Sequence, residues 1–314
     1  MRLYSLLAAA KINLYLEVVG HRGDGFHELI MVMQSISLAD RVTVRSIGVD
    51  DIRVRCDHPL VPRDETNLAY RAAALLAQRF PGVMAKLGGV EITLEKHIPV
   101  GAGLAGGSGN AAAVLVGLDM LWQLGLTQAE LQDLGARLGS DVPFCIGGGT
   151  AIATGRGEQL DALPGVDHLY LVLAKYESEF VSTPWAYTTY RANFEPTYLA
   201  DEAGFAARRS QVKSGAMVAA IAGQDGVAIG QQLYNDLEKV VLPAHPKTAQ
   251  LKTTLASLGG LGTLMSGSGP TVFTLVGSQA EAEALAQRLK AALPDPDLGV
   301  WTARFSSAGV QLVG

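Results

Sequence analysis

Two polar side chains near the N-terminus and one carboxylate in mid-chain have types that could serve chemistry. Lys11 and Asn13 alternate in "KINLYLEV", so a strand would put both on one face, roughly 7 Å apart. Taken singly, each reads better as a solvated strand residue. Asp141 follows a helical stretch in "LGSDVPFCIGGG". Such an aspartate serves as a turn or cap residue, or as a general base that orients an attacking hydroxyl. A third feature is "GAGLAGGSGNAAAVLVGL", residues 101–118, where glycine crowds the entry to a helix. Backbone N–H groups at a helix start bind anions, and glycine lets them approach phosphate oxygens.

Gly101, Gly103 and Gly106 match G-x-G-x-x-G, which alone carries little information. A dinucleotide fold would need the motif after the first strand, with an acidic residue ending the next. Here several strands precede it, and Asp119 falls within the same helix. No Gly-Lys-Ser/Thr follows any glycine run, so no Walker loop is present. Ser108 and Asn110 add polar groups at the helix start, which suits phosphate and metal better than close packing alone. "GHRGDGFHEL" presents Phe26 and His27 from a loop with Gly20, Gly23 and Gly25. That pair suits stacking on, and hydrogen bonding to, a planar base, or else a small satellite core. "MSGSGPTVF" is a second glycine loop: a turn from Gly267 to Pro270, or a cover over phosphates.

The elements that position these residues alternate in type. "KINLYLEV", "RVTVRSI", "IRVRC" and "VEITLEKHIPV" read as strands, the last ended by Pro99. "DETNLAYRAAALLAQRF" reads as a capped helix, and "TQAELQDLGARLG" opens with the capping box Thr127–Glu130. "DVPFCIGGGTAIATGRGE" reads as a turn, a short strand pair and glycine loops. Beyond about residue 160 come a strand "HLYLVLAK", an irregular aromatic stretch over 176–210, then helix, two strands around the second glycine loop, helix and strand. Ser278 and Glu281 form another capping box. That layout is a split βαβ arrangement. The expected division is 1–160 and 161–314.

The 314 residues carry a net charge of −5, from 25 basic and 30 acidic side chains, with no basic block. Nucleic acid is therefore not expected as a partner. Cys56 and Cys145 show neither disulfide nor zinc spacing, and read as buried thiols in a reducing compartment. Lys11, Asn13 and Glu17 interrupt the apolar N-terminus, which argues against a membrane span and, with the strand that follows, against a signal peptide. A cytoplasmic monomer or homodimer is expected.

Together "AKINLYLEVVGHRGDGFHEL", "EKHIPVGAGLAGGSGNAA", "GSDVPF" and "SGSGPTVF" resemble the GHMP kinase superfamily, from about residue 8 to 276 and most weakly over 185–230. The opening segment is similar to only one branch of it. The resemblance implies an α+β fold of two domains, the N-terminal one with a left-handed βαβ unit, the C-terminal one ferredoxin-like. It implies ATP with Mg²⁺, and transfer of the γ-phosphoryl group to the 2-hydroxyl of a cytidine-diphosphate-linked methylerythritol on the non-mevalonate isoprenoid route. The alternatives are another small-molecule GHMP kinase, or a nucleotide binder without turnover.

On that resemblance, Asp141 is the base and Lys11 the lysine beside it, stabilising charge near the accepting hydroxyl. ATP would meet Gly101, Gly103, Leu104, Ala105, Gly106, Gly107, Ser108, Gly109 and Asn110, with Asn67 near the adenosine. The acceptor would meet Asn13, Phe26, His27, Lys96 on the cytidine side, Thr183, and Tyr187 as a second aromatic over the base. Gly267, Ser268 and Gly269 would close over phosphate. Ala105 stands where the family usually has glycine and calls for negative φ or mild strain. Gly109 replaces a serine, so Ser108 or water would have to take any phosphate or Mg²⁺ contact made by that hydroxyl.

Overall fold

A computed structural model describes residues 2–313. The larger sheet is built on two long antiparallel strands, β1 (Leu3–His21) and β2 (His27–Ile47). β3 (Ile52–Cys56), α1 (Leu68–Arg79), α2 (Pro81–Leu87) and β4 (Gly89–Glu95) follow, with β3 parallel to β4 and β4 antiparallel to β2. α3 (Gly106–Trp122), α4 (Gln128–Ala136), α5 (Val142–Gly147), β5 (Thr150–Gly155) and β6 (Gln159–Ala162) come next. β5 pairs with the first half of β2, and β6 with β5.

α3 is apolar nearly all round, which suits a largely buried helix, with Val116, Asp119 and Met120 half-buried on its outer side. Its Val114, Leu115 and Leu118 are fully buried against the sheet and α1. Each such side chain contributes about 1.5–3 kcal/mol through burial. Ala8 and Ala9 of β1 are small, so the first turn of α3 lies directly on that strand: the nearest atoms to a Cβ at Gly109 would be the Ala9 carbonyl oxygen, at 3.4 Å, and the Ala8 methyl.

The second sheet has the order β11–β7–β10–β9, all antiparallel, made of β7 (Tyr170–Tyr176), β9 (Gly262–Met265), β10 (Val272–Val276) and β11 (Leu298–Arg304). β10 lies between β7 and β9, which is the split βαβ pattern expected from sequence. Helices Pro246–Ser257 and Gln279–Ala292 bury Leu251, Leu255, Leu285 and Leu289 against it. Two short strands, β8 (Tyr234–Asn235) and β12 (Val310–Leu312), return to β1 of the first sheet.

Four local readings need correction. "VPFCIG" is α5, not a strand. Residues 176–210 are largely helical: Thr183–Phe194 is capped by the Ser182 side chain, and Glu202–Lys213 by that of Asp201. β4 stops at Glu95, four residues before Pro99. The Thr127–Glu130 box is complete. At Ser278 only the forward half forms, and Glu281 accepts from the N–H of Gly277 instead. Among the described residues no helix is long and apolar enough to cross a membrane.

Candidate active site

A cavity of about 730 Å³ lies over β1, α3 and α5, with Thr183, Tyr187 and the 266–269 turn on its far wall. Its lining includes every residue expected of the site except Gly109 and Gly269. Gly109 faces β1, so a serine hydroxyl there would start out against Ala9 and away from the cavity. Gly269 faces Met265.

Lys11 and Asn13 are not solvated strand residues. Both are buried, and Lys11 Nζ donates to Asn13 Oδ1 over 2.6 Å. Asp141 is the N-cap of α5, yet its side chain makes no capping bond. Its Oδ2 instead lies 3.6 Å from Lys11 Nζ. A carboxylate, a lysine and an amide thus share one corner of the cavity.

The glycine loop is built as the anion-site reading requires. Gly101, Gly103 and Ala105 have φ of 64°, 71° and 58°. Leu104 accepts from the backbone N–H of Lys11 at 3.1 Å, and Ser266 Oγ donates to the Gly103 carbonyl at 3.1 Å. The second loop therefore closes against the first. Across the cavity mouth the hydroxyls of Thr183 and Ser268 lie 2.9 Å apart. Ala105 has the left-handed backbone that negative φ would have avoided, which costs an L-residue about 1–2 kcal/mol. Ala105→Gly should relieve that strain, partly offset by glycine's greater unfolded-state entropy. A net gain of up to about 1 kcal/mol is expected in denaturant melts, with kcat within twofold.

At the other end Phe26 is 48% exposed, and the Arg156 guanidinium carbon stands 4.7 Å above its ring. His27 and Tyr187 lie 5.1 Å apart with rings tilted by 31°. His27 Nε2 is buried without a partner. Burial, then the nearby His21 and Arg191 charges, push the His27 imidazole down to about 4. It is therefore neutral at physiological pH. Its folded value lies below the unfolded one, so it destabilises the fold below about pH 6.5, increasingly down to about pH 4 and by a constant amount beneath that. An acceptor KM flat from pH 8 to 6 and rising toward pH 4, with the imidazole followed by NMR, would match this.

The structure sets Lys96 against the start of α3. It is paired with the buried Asp40, donates to Asn110 Oδ1 at 3.0 Å, and stands beside Gly106 at the start of α3. Asp40 pulls it there. The Asn110 side chain is spent on the same network rather than on the cavity. Asn67 caps α1 through Oδ1, and its Nδ2 donates to the Pro62 carbonyl at 2.6 Å, holding the 58–66 loop against the cavity. Sequence reasoning missed Asp40, Arg156 and Asn235. Asn235 donates to the carbonyls of Met265 and Gly267, both at 2.8 Å, and so hangs the second glycine loop from β1. None of the three sits in a motif. Arg156, between two glycines, had the clearest signal.

The model of the GHMP kinases N terminal domain matches residues 67–149, and that of the GHMP kinases C terminal matches 217–295. A curated 4-diphosphocytidyl-2-C-methyl-D-erythritol kinase of Trichodesmium erythraeum (strain IMS101) is 58% identical over 312 residues, 99% of each chain. The same-named protein of Gloeothece citriformis (strain PCC 7424) is 59% identical over 312 residues, also 99% of each. A crystal structure of 4-(cytidine 5'-diphospho)-2C-methyl-D-erythritol kinase superposes with a TM-score of 0.73 at 32% identity, covering 96% of this chain and 99% of that one. Homoserine kinase from Cytophaga hutchinsonii shares the fold, with a TM-score of 0.73 at 21% identity over 100% of this chain and 98% of that one. The two glycine loops, the Lys11–Asp141 pair and the full-length relatives agree: this chain belongs to the GHMP kinases, in the family of 4-diphosphocytidyl-2-C-methyl-D-erythritol kinases.

Proposed function

We propose that the cavity holds ATP and a cytidyl acceptor end to end, with phosphoryl transfer at Lys11 and Asp141. The chain is a kinase that phosphorylates the 2-hydroxyl of 4-diphosphocytidyl-2-C-methyl-D-erythritol from ATP, a step of the non-mevalonate route to isoprenoid precursors. The observation that carries the arrangement is the position of the Lys11–Asp141 pair. It shares one cavity with a helix N-terminus and its glycine loop, and with an aromatic cluster around a neutral histidine.

Phosphoryl transfer asks mainly for positioning and charge stabilisation. Asp141 accepts or orients the proton of the attacking hydroxyl. Lys11, fixed by Asn13, stabilises the charge developing there. The loop amides from Gly103 to Ser108 hold the β- and γ-phosphates, and the Gly267–Ser268 turn covers them. Phe26 and Tyr187 flank the cytosine, with the neutral His27 imidazole packed beside Tyr187. Binding energy from that remote end holds the 2-hydroxyl in line. Among the described residues no group of three His, Cys, Asp or Glu could hold a metal. That suits Mg²⁺, which keeps several waters and rides on nucleotide oxygens rather than in a protein cage. Ser108, whose hydroxyl lies near the 139–141 turn, is the protein donor we assign to it. When bound, Mg²⁺ would neutralise phosphate charge.

We place the main division at the 163–169 connection, with β8 and β12 returning from beyond it to the first sheet. β6 belongs to the first sheet and β7 to the second. The acceptor panel tests the reading. ATP consumption is expected with the cytidyl acceptor and not with mevalonate, homoserine or galactose. Phe26→Ala should raise the cytidyl-acceptor KM about tenfold with little change in the KM for ATP, given the roughly 1–3 kcal/mol of one base-stacking contact. Turnover indifferent to the cytidine would refute it.

A further inference from the structure

Asp40, on β2, is completely buried. Its Oδ1 accepts from the backbone N–H groups of His97, at 2.8 Å, and Ile98, at 2.9 Å. Its Oδ2 accepts from Asn110 Nδ2 at 2.8 Å and pairs with Lys96. Lys96 Nζ in turn donates to Asn110 Oδ1, closing a ring of three side chains. Residues 97 and 98 are where the chain leaves β4 to enter the glycine loop. Asn110 lies in the second turn of α3, where the chain leaves it. Both ends of the loop are therefore pinned to one carboxylate on a third element.

The loop between those ends has little stiffness of its own. Three of its residues have positive φ, and its side chains are hydrogen, methyl, isobutyl and one hydroxymethyl beyond Val100. Its path is set by where its ends are held and by the contacts of Gly103 and Leu104 with Ser266 and Lys11. A carboxylate accepting four donors in a dry site is a stiff fixture, because each bond is charge-assisted and no water competes.

We propose that Asp40 is a positioning residue for the nucleotide: it sets both ends of the phosphate loop, and with them the amides that hold the triphosphate, without touching ATP. The inference rests on the reading of residues 101–110 as the triphosphate site. Asp40→Asn keeps the shape but loses the charge, and its new amide N–H₂ faces donors. Asn110→Ala removes one tie, leaves the Asp40–Lys96 pair whole, and inserts a good helix former, so it guards against a first variant that fails to fold.

The test measures calorimetric binding of a non-hydrolysable ATP analogue and, separately, of cytidine diphosphate, on variants whose melting curves show a folded protein. Asp40→Asn is expected to weaken analogue binding roughly tenfold, and Asn110→Ala severalfold, as loss of charge-assisted bonds implies. Cytidine diphosphate should bind within twofold of wild type. Folded variants that bind the analogue like wild type would overturn the proposal. So would an equal weakening of both ligands, which is the mark of general loosening. A gain in analogue affinity with Asp40→Asn would also overturn it, since Lys96 would then be a direct ligand that Asp40 restrains. Wild-type protein that does not bind the analogue would instead sink the triphosphate reading, and this inference with it.

Discussion

Asp141→Asn is expected to lower kcat about 10³-fold, within the range that a positioned general base contributes. The KM values for ATP and for the cytidyl acceptor should stay within a few-fold of wild type. Asp141 caps α5 by position only, and its carboxylate is committed to Lys11 at 3.6 Å rather than to the helix. Asparagine fits the same space and leaves α5 intact, so the loss should fall on the chemical step and not on folding. Lys11 retains its 2.6 Å bond to Asn13 in the variant, which limits the penalty of an unpaired buried charge. Steady-state kinetics with both substrates varied, beside a melting curve, checks this. A variant with near wild-type kcat would remove Asp141 from the mechanism. One that loses affinity for both substrates would make it a structural residue.

Gly103→Ala should cut kcat/KM for ATP about 10²-fold, the scale of an ångström-sized misplacement of reacting groups. Two effects combine. The φ of 71° costs any L side chain about 1–2 kcal/mol. The added methyl would also overlap the Ser266 carbonyl and lie 3.0 Å from that of Gly269, both backbone atoms that cannot swing away. The junction between the two glycine loops has to open, and the Ser266 bond to Gly103 goes with it. A Tm about 5 °C lower is expected for a chain of this size. Gly107→Ala is the control. A methyl there meets nothing closer than Leu68 at 3.8 Å, within a helix that favours alanine, so stability should rise slightly. If the two variants behaved alike in stability, the tight approach at Gly103 would not be what holds the loops together.

The amino-acid pattern made the local machinery legible and left its fixings hidden. Alternation put Lys11 and Asn13 on one face, and glycine density announced a loop that must approach something closely. The split βαβ layout followed from strand–helix order alone. What failed has physical causes. "VPFCIG" is a six-residue buried helix, and a short apolar run has no period long enough to separate helix from strand. β2 from Glu28 to Ile36 is buried on both faces, so it shows no alternation and went unseen. The helix at 183–194 did carry a signal, Ser182 followed by Pro184, but its aromatic composition masked it. The surroundings of Lys96 were not legible because its side chain is held by Asp40, 56 residues away. Asn235 likewise acts through a contact with residues 30 and 32 positions distant. Contacts of that span leave no local pattern.

A single cavity that joins ATP to an acceptor held by its cytidine, across Lys11 and Asp141, makes phosphorylation depend on the cytidine. The most direct test is ³¹P NMR of wild-type reactions with ATP. One uses 4-diphosphocytidyl-2-C-methyl-D-erythritol and the other the same methylerythritol phosphate without the cytidine. A new phosphomonoester on the 2-hydroxyl of the cytidyl compound, with no comparable product from the truncated one, is the predicted result. Equal phosphorylation of both, or a phosphate on a different oxygen, would contradict the account.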